Sequence, residues 1–338
     1  MLTVTPRALQ VAIRHAWLHN RTRPIMCWGP PGAAKTASVA LVANEMNVPL
    51  TDLRLGNLTP SDLKGLPVID HDQRVTRYYP PAELPHQGEG ILTLDELNIA
   101  PPVMQALAQE LLLERRLGEY RLPEGYLIVG MGNRKEDRAA VHAMPAPAAN
   151  RFKHYRLEPS LSDWRHWAHG TDSIHEHILA FLHYRPELLH KFDPGAPAWP
   201  SPRSWHIASD DYRHGGSVIP AVGEGPGLEF EAYVQVYSQL PDIDAILAGR
   251  GQRERAPEEP SALYALTLAL AERTDAGEDA SHAMAWVLEH LKDEFTQLYL
   301  SSVYTRASAR GTLGEITTAL SATDGALEHL VHLNELAA

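Results

Sequence analysis

The segment Gly29-Pro30-Pro31-Gly32-Ala33-Ala34-Lys35-Thr36 stands between a short apolar run, Ile25–Trp28, and a stretch of helical spacing from Lys35 to Met46. A glycine-bearing turn in that position aims main-chain N–H groups and a helix N-terminus at one point, an arrangement that suits a phosphate. On this reading Gly29, Pro30, Pro31, Gly32, Ala33 and Ala34 form the cradle. Lys35 reaches the β- and γ-phosphates of ATP, and the Thr36 hydroxyl ligates Mg²⁺. One position departs from the usual pattern: Ala34 stands where glycine normally precedes the lysine. A methyl group there is harmless at negative φ and strained at positive φ. A plain proline-glycine turn is the competing reading, and the adjacent Lys-Thr pair argues against it.

The rest of the N-terminal half alternates apolar runs with helical patterns, which predicts a parallel sheet with helical crossovers. Helices are expected over 6–19, 35–46 and 103–113, and strands over 25–28, 50–55, 91–94 and 127–131. The run Ile91–Leu94 ends in Asp95-Glu96, two carboxylates at the strand end where ligands bind in open α/β sheets. Asp95 is suited to the Mg²⁺ shell and Glu96 to polarising an attacking water. Asn133 follows Leu127–Gly132 and can orient the same water. Charge on a transferring phosphoryl group calls for a guanidinium, with Arg151, Arg203, Arg134 and Arg138 as candidates. Two segments, 66–79 and 115–126, read as hairpins that project from the sheet.

The division expected is a core over 1–159, a helical unit over 160–250, and an acidic helical region over 251–338 with helices near 261–274, 280–301 and 313–335. Residues 1–220 hold 23 basic and 23 acidic side chains, so the chain totals of 30 and 42 leave 7 and 19 for residues 221–338. Such an acidic end repels a phosphate backbone and disfavours nucleic acid as a partner. Without a long apolar run, membrane insertion is not expected, and one cysteine, Cys27, suits the reducing cytoplasm. The histidines His166, His169, His175, His177 and His183 lack metal-ligand spacing and read as a solvated helix face. Trp164, Trp167, Trp199 and Trp205 read as packing residues of the helical part.

Taken together, GPPGAAKT, LTPSDLKG at 58–65, ILTLDELNIAPP at 91–102, LLLERRLGEYRLPEG at 111–125, GNRKEDR at 132–138, NRF at 150–152 and SPRSW at 201–205 resemble the MoxR-type branch of the AAA+ ATPases over residues 5–250. The resemblance implies an α/β AAA+ P-loop NTPase core, a parallel sheet with helices on both faces, an α-helical lid at 160–250 and a helical C-terminal region. It also implies that Gly29–Thr36 and Asp95-Glu96 are the Walker A and B elements, with Asn133 as sensor 1. Arg151 becomes the finger acting on a neighbouring subunit, and Arg203 becomes sensor 2. The hairpins then correspond to the helix-2 insert and pre-sensor-1 hairpin facing a ring pore. Members of this branch commonly form hexameric rings that remodel or activate proteins beside a partner with a von Willebrand factor A domain. Two other functions compete: a nucleic-acid motor, since motors share the pre-sensor-1 hairpin, and a nucleotide-bound scaffold of little turnover, which only Ala34 favours.

Overall fold

Thr5 caps the first helix, its hydroxyl accepting from the Ala8 amide at 3.4 Å, and Pro6 occupies the first turn, where no amide partner is needed. The computed structural model describes residues 1–137, 144, 149–275 and 277–337. The chain divides into two compact units, Met1–Ser160 and Leu161–Ala338. In the first unit the order is β1 (Leu2–Val4), α1 (Pro6–His19), β2 (Ile25–Trp28), α2 (Lys35–Glu45), β3 (Leu50–Arg54), α3 (Pro60–Lys64), β4 (Leu66–Asp70), β5 (Val75–Tyr79), β6 (Glu89–Asp95), α4 (Pro102–Glu114), β7 (Arg116–Leu117), β8 (Tyr120–Arg121), β9 (Gly125–Gly132) and β10 (Lys153–Leu157).

Six strands form one sheet in the order β1-β10-β2-β9-β6-β3, with every pairing parallel. Alternate residues of each strand feed two different cores, as the two-residue period of a strand requires. Ile25, Cys27, Ile91, Leu127, Val129 and Met131 pack with Leu9, Ile13, Trp17, Val39 and Val42 of α1 and α2. Met26, Leu92, Leu94 and Ile128 pack with Leu63 of α3 and Met104, Ala108 and Leu111 of α4. The sheet is therefore covered by helices on both faces, the architecture expected. Strands β1 and β10 were not among the expected elements and complete one side of the sheet.

Strand register fixes where the sheet opens. Trp28 lies opposite Gly132, Leu94 opposite Gly130, and Arg54 opposite Asp95. The C-terminal ends of β2, β6 and β9 therefore open side by side, the place where open α/β sheets bind ligands. Both expected hairpins form: β4 pairs antiparallel with β5, and β7 with β8. The larger one leaves Leu66 and Tyr79 each 65% exposed, and Arg77 in it lies 3.9 Å from Glu119 at the tip of the other.

The second unit is helical throughout its regular elements and contains two cores. One gathers Trp164, Phe181, Trp205 and Phe230, and the other gathers Leu270, Trp286, Tyr299 and Leu320. Two expected helices are each divided. Helix Glu278–His290 stops where Leu291 turns extended, and Asp293–Arg310 follows; helix Leu313–Ser321 is separated from Ala326–Ala337 by a turn with Gly325 at φ +82°. No helix among the described residues is long and apolar enough to cross a membrane.

The expectation of a solvated histidine face fails. His169 is buried with its Nδ1 3.3 Å from Glu272, and Arg165 donates to His183 Nδ1 while pairing with Glu272 at 3.2 Å. Burial, with Arg165 adding to it, lowers both imidazoles to about 3, and burial lowers His177 to about 4. The physical cause is simple: helical spacing does not tell which face a second layer of helices will cover. Because the folded state holds these groups neutral while the unfolded chain takes up protons near the usual value of about 6.5, their contribution to stability is present above that pH and lost below it. His183→Gln keeps an acceptor for Arg165 without a titrating ring, so its urea midpoint should fall less between pH 7 and pH 5 than that of the parent; equal falls would contradict the account.

Candidate nucleotide site

Where β2 ends, the Gly29 amide donates to the Gly132 carbonyl at 3.2 Å, which ties the start of the loop to the end of β9. A Cβ at Gly29 would stand 3.2 Å from the Leu157 carbonyl oxygen and Cβ, a tight contact that Leu157 would have to relieve by shifting a few tenths of an ångström. The loop turns through Gly32 at φ +76° and Ala34 at φ +65° before α2 begins at Lys35. Among the described residues no side chain caps helix α2, whose first amides face the loop with the partial positive charge of a helix N-terminus. That is the fit required of a triphosphate site. Ala34 thus takes the strained alternative, since an L-residue in the left-handed region costs roughly 1–2 kcal/mol.

Lys35 Nζ donates to Gly29 O at 2.9 Å, Pro30 O at 3.0 Å and Asn133 Oδ1 at 3.0 Å. Thr36 Oγ1 donates to Asp95 Oδ2 at 2.9 Å, and Asp95 Oδ1 accepts from the Glu96 amide at 2.8 Å. A hydroxyl beside a carboxylate is a hard oxygen pair, the donor type that Mg²⁺ takes. Glu96 follows with φ +58°, and its carboxylate lies over Gly56, where a Cβ would stand 2.5 Å from Oε2. Beneath the loop, burial raises the Cys27 thiol to about 12, against the pull of Lys35, so it stays a neutral packing group.

Lys35, Thr36, Asp95 and Asn133 are therefore drawn together by direct hydrogen bonds, and Glu96 is next in the chain. Asn98 belongs to this cluster and sequence reasoning assigned it no role. Its side chain accepts from the Asn133 amide at 3.1 Å and donates to the Asn133 carbonyl at 2.8 Å, a two-point clamp on the main chain. Gly132 makes room for it, since a Cβ there would meet Asn98 Oδ1 at 2.6 Å. Neither Asn98 nor Gly56 carried a signal, because only the register of β6, β9 and β3 shows what they face.

The arginines separate. Arg134 pairs with the buried Asp137 at 2.8 Å, a bond that raises its pKa, so its guanidinium is engaged within its own loop. Arg138 lies outside the described residues. Arg151 is exposed in a turn before β10. Arg203 sits in the first turn of helix Pro202–Arg213, in the second unit, after the Ser201 cap.

Comparison with known families matches residues 25–155 to the ATPase family associated with various cellular activities (AAA). The matched span begins with β2 and ends within β10, so it includes Gly29–Thr36, Asp95, Glu96, Asn133 and Arg151. A search of curated proteins gave no match. Among solved structures, NtrX from Brucella abortus in complex with ADP is similar at 18% identity, covering 98% of this chain and 68% of that one with a TM-score of 0.40. The Thermotoga maritima RuvB Holliday junction branch migration motor is similar at 16% identity, covering 86% and 84% with a TM-score of 0.40.

Within the matched span the strained residue gives a direct test. Ala34→Gly should raise the unfolding free energy by about 1 kcal/mol, the relief at positive φ outweighing the extra freedom of an unfolded glycine. Denaturant titration measures it, and a lower midpoint would show that Ala34 does not bear this strain.

Proposed function

We propose that the chain is a Mg-ATP-dependent ATPase of the MoxR type, acting in the cytoplasm and hydrolysing ATP at subunit interfaces of a homo-oligomeric, hexameric ring. The observation that carries the reading is the convergence of Lys35, Thr36, Asp95 and Asn133 at the uncapped N-terminus of α2. The amides of Gly32–Thr36 bind the phosphates, and Lys35 neutralises the β- and γ-oxygens. Thr36 and Asp95 would hold Mg²⁺, which would supply positive charge to offset the negative charge that develops on the phosphates. Asn133, held by the Asn98 clamp, and Glu96 orient the attacking water, with Glu96 accepting its proton as the water oxygen bonds to the γ-phosphorus and the bond from that phosphorus to the β–γ bridging oxygen breaks, releasing ADP and phosphate. Arg151 of one subunit serves as the finger for the phosphate of the next, and Arg203, on the lid formed by residues 160–250, serves as sensor 2.

The output is remodelling or activation of a protein, carried by the β4–β5 and β7–β8 hairpins and assisted by a partner with a von Willebrand factor A domain. The acidic region 251–338 supports a protein target over nucleic acid, since it repels a phosphate backbone.

Phosphate release and nucleotide binding test this reading. Lys35→Ala should lose ATP affinity by at least roughly tenfold, whereas Glu96→Gln should keep the affinity and lose about 10²- to 10⁴-fold in turnover. Parent-like hydrolysis by Glu96→Gln would remove Glu96 from its role. Strong stimulation by duplex DNA would replace the remodelling reading with a motor, and tight ATP binding without phosphate release would replace it with a scaffold.

A further inference from the structure

The turn that presents Arg151 is closed by one carbonyl, and that carbonyl serves two donors. Phe152 donates its amide to Ala149 O at 3.3 Å, leaving Asn150 and Arg151 at the centre of the turn. His154 Nε2 reaches the same oxygen at 2.7 Å. On its other side the His154 ring meets Trp28, whose indole Nε1 lies 3.0 Å from Nδ1 with the two rings nearly parallel at 8°. An indole nitrogen can only donate, so Nδ1 must be bare and Nε2 must carry the proton. One neutral tautomer satisfies both contacts at once.

Strand register explains the meeting. In the parallel pairing of β10 with β2, Trp28 lies opposite Arg156, which places His154 diagonally across on the same face. Trp28 is the last residue of β2, immediately before Gly29. Phe152 anchors the turn from below, buried in the core on the α4 side of the sheet and 5.9 Å from the His154 ring. Arg151 itself is exposed. A hydrogen-bonded path therefore runs from the root of the phosphate loop through Trp28 and His154 to the turn that carries Arg151.

We propose that His154 is a positioning residue that holds the 149–152 turn so that Arg151 points at a neighbouring subunit, and that through Trp28 it ties that turn to the phosphate loop of its own subunit. This rests on the reading of Arg151 as a finger acting in trans. Without the imidazole, Ala149 O keeps, among the described residues, its local turn bond alone, and the indole N–H loses its His154 acceptor. The turn then samples orientations in which the guanidinium is misplaced, which slows chemistry at the neighbour while leaving the subunit's own nucleotide contacts in place.

Steady-state hydrolysis and fluorescent-ATP binding on the full chain test it. His154→Ala should lower kcat at least roughly tenfold with Kd for ATP within about twofold of the parent. His154→Gln has an amide oxygen to accept from Trp28 and an amide nitrogen to donate to Ala149, and should recover most of the loss. Trp28→Phe removes the indole N–H and shortens the ring while leaving the bond from His154 to Ala149 in place, and should fall between the two. Mixed assemblies separate a role in trans from local damage: Glu96→Gln subunits, silent at their own sites but with intact turns, should restore turnover at His154→Ala sites. Parent-like kcat in His154→Ala, a loss confined to Kd or KM, or no rescue in mixtures would overturn the assignment. Arg151→Ala distinguishes the levels: if it is slow while His154→Ala is not, only the role of His154 falls, and if it turns over like the parent, the finger reading falls and this inference with it.

Discussion

Lys35 is held by three oxygens that belong to two strand ends, the Gly29 and Pro30 carbonyls after β2 and the Asn133 amide after β9. That arrangement exists only because the two strands are parallel neighbours in register, with Trp28 opposite Gly132. Antiparallel pairing would send the two tips to opposite edges. The helical crossovers that parallel strands require also cover both faces of the sheet, so the core and the site share one topological cause. The same pairing geometry brings β6 alongside and delivers Asp95 to Thr36.

Much of the fold and site is legible in the sequence, and the reason is locality. Helix α1 has a cap, a proline and an apolar stripe within one short window, and its predicted bounds are those observed, Pro6–His19. Phosphate loops and strand-end carboxylates are likewise written in contiguous residues. Strands β1 and β10 escaped because they are short, partly polar and defined by neighbours far away in sequence. The Asn98 clamp, the Gly56 clearance and the His154 bridge escaped for the same reason, since each is a meeting of residues 35 to 126 positions apart or a gap left for one. In the second unit the helical periodicity was visible, yet the division of two long patterns and the burial of His169 depend on how helices stack, which a single helix does not encode. Arg134 is a similar case: its composition suggested a phosphate partner, and three residues later Asp137 takes the guanidinium.

Backbone strain follows the chemistry. Among the described residues six non-glycine positions have positive φ, and two of them, Ala34 and Glu96, flank the cluster of Lys35, Thr36 and Asp95. Strain of this kind persists only where the surroundings over-determine the conformation, and it concentrates where a protein needs a group in one place. At Glu96 the consequence is directional: the left-handed turn lets its amide fold back onto Asp95 while its carboxylate lies over Gly56.

The hydrogen bond from Thr36 to Asp95 has one more implication. A hydroxyl owns a single proton, and this one is committed to the carboxylate at 2.9 Å. What Thr36 turns toward the rest of the site is therefore lone pair alone. On the proposed reading Asp95 would act on an incoming cation twice, by its own charge and by fixing the polarity of its neighbour, so that the threonine would meet the ion as a ready Lewis base with no rotor left to settle.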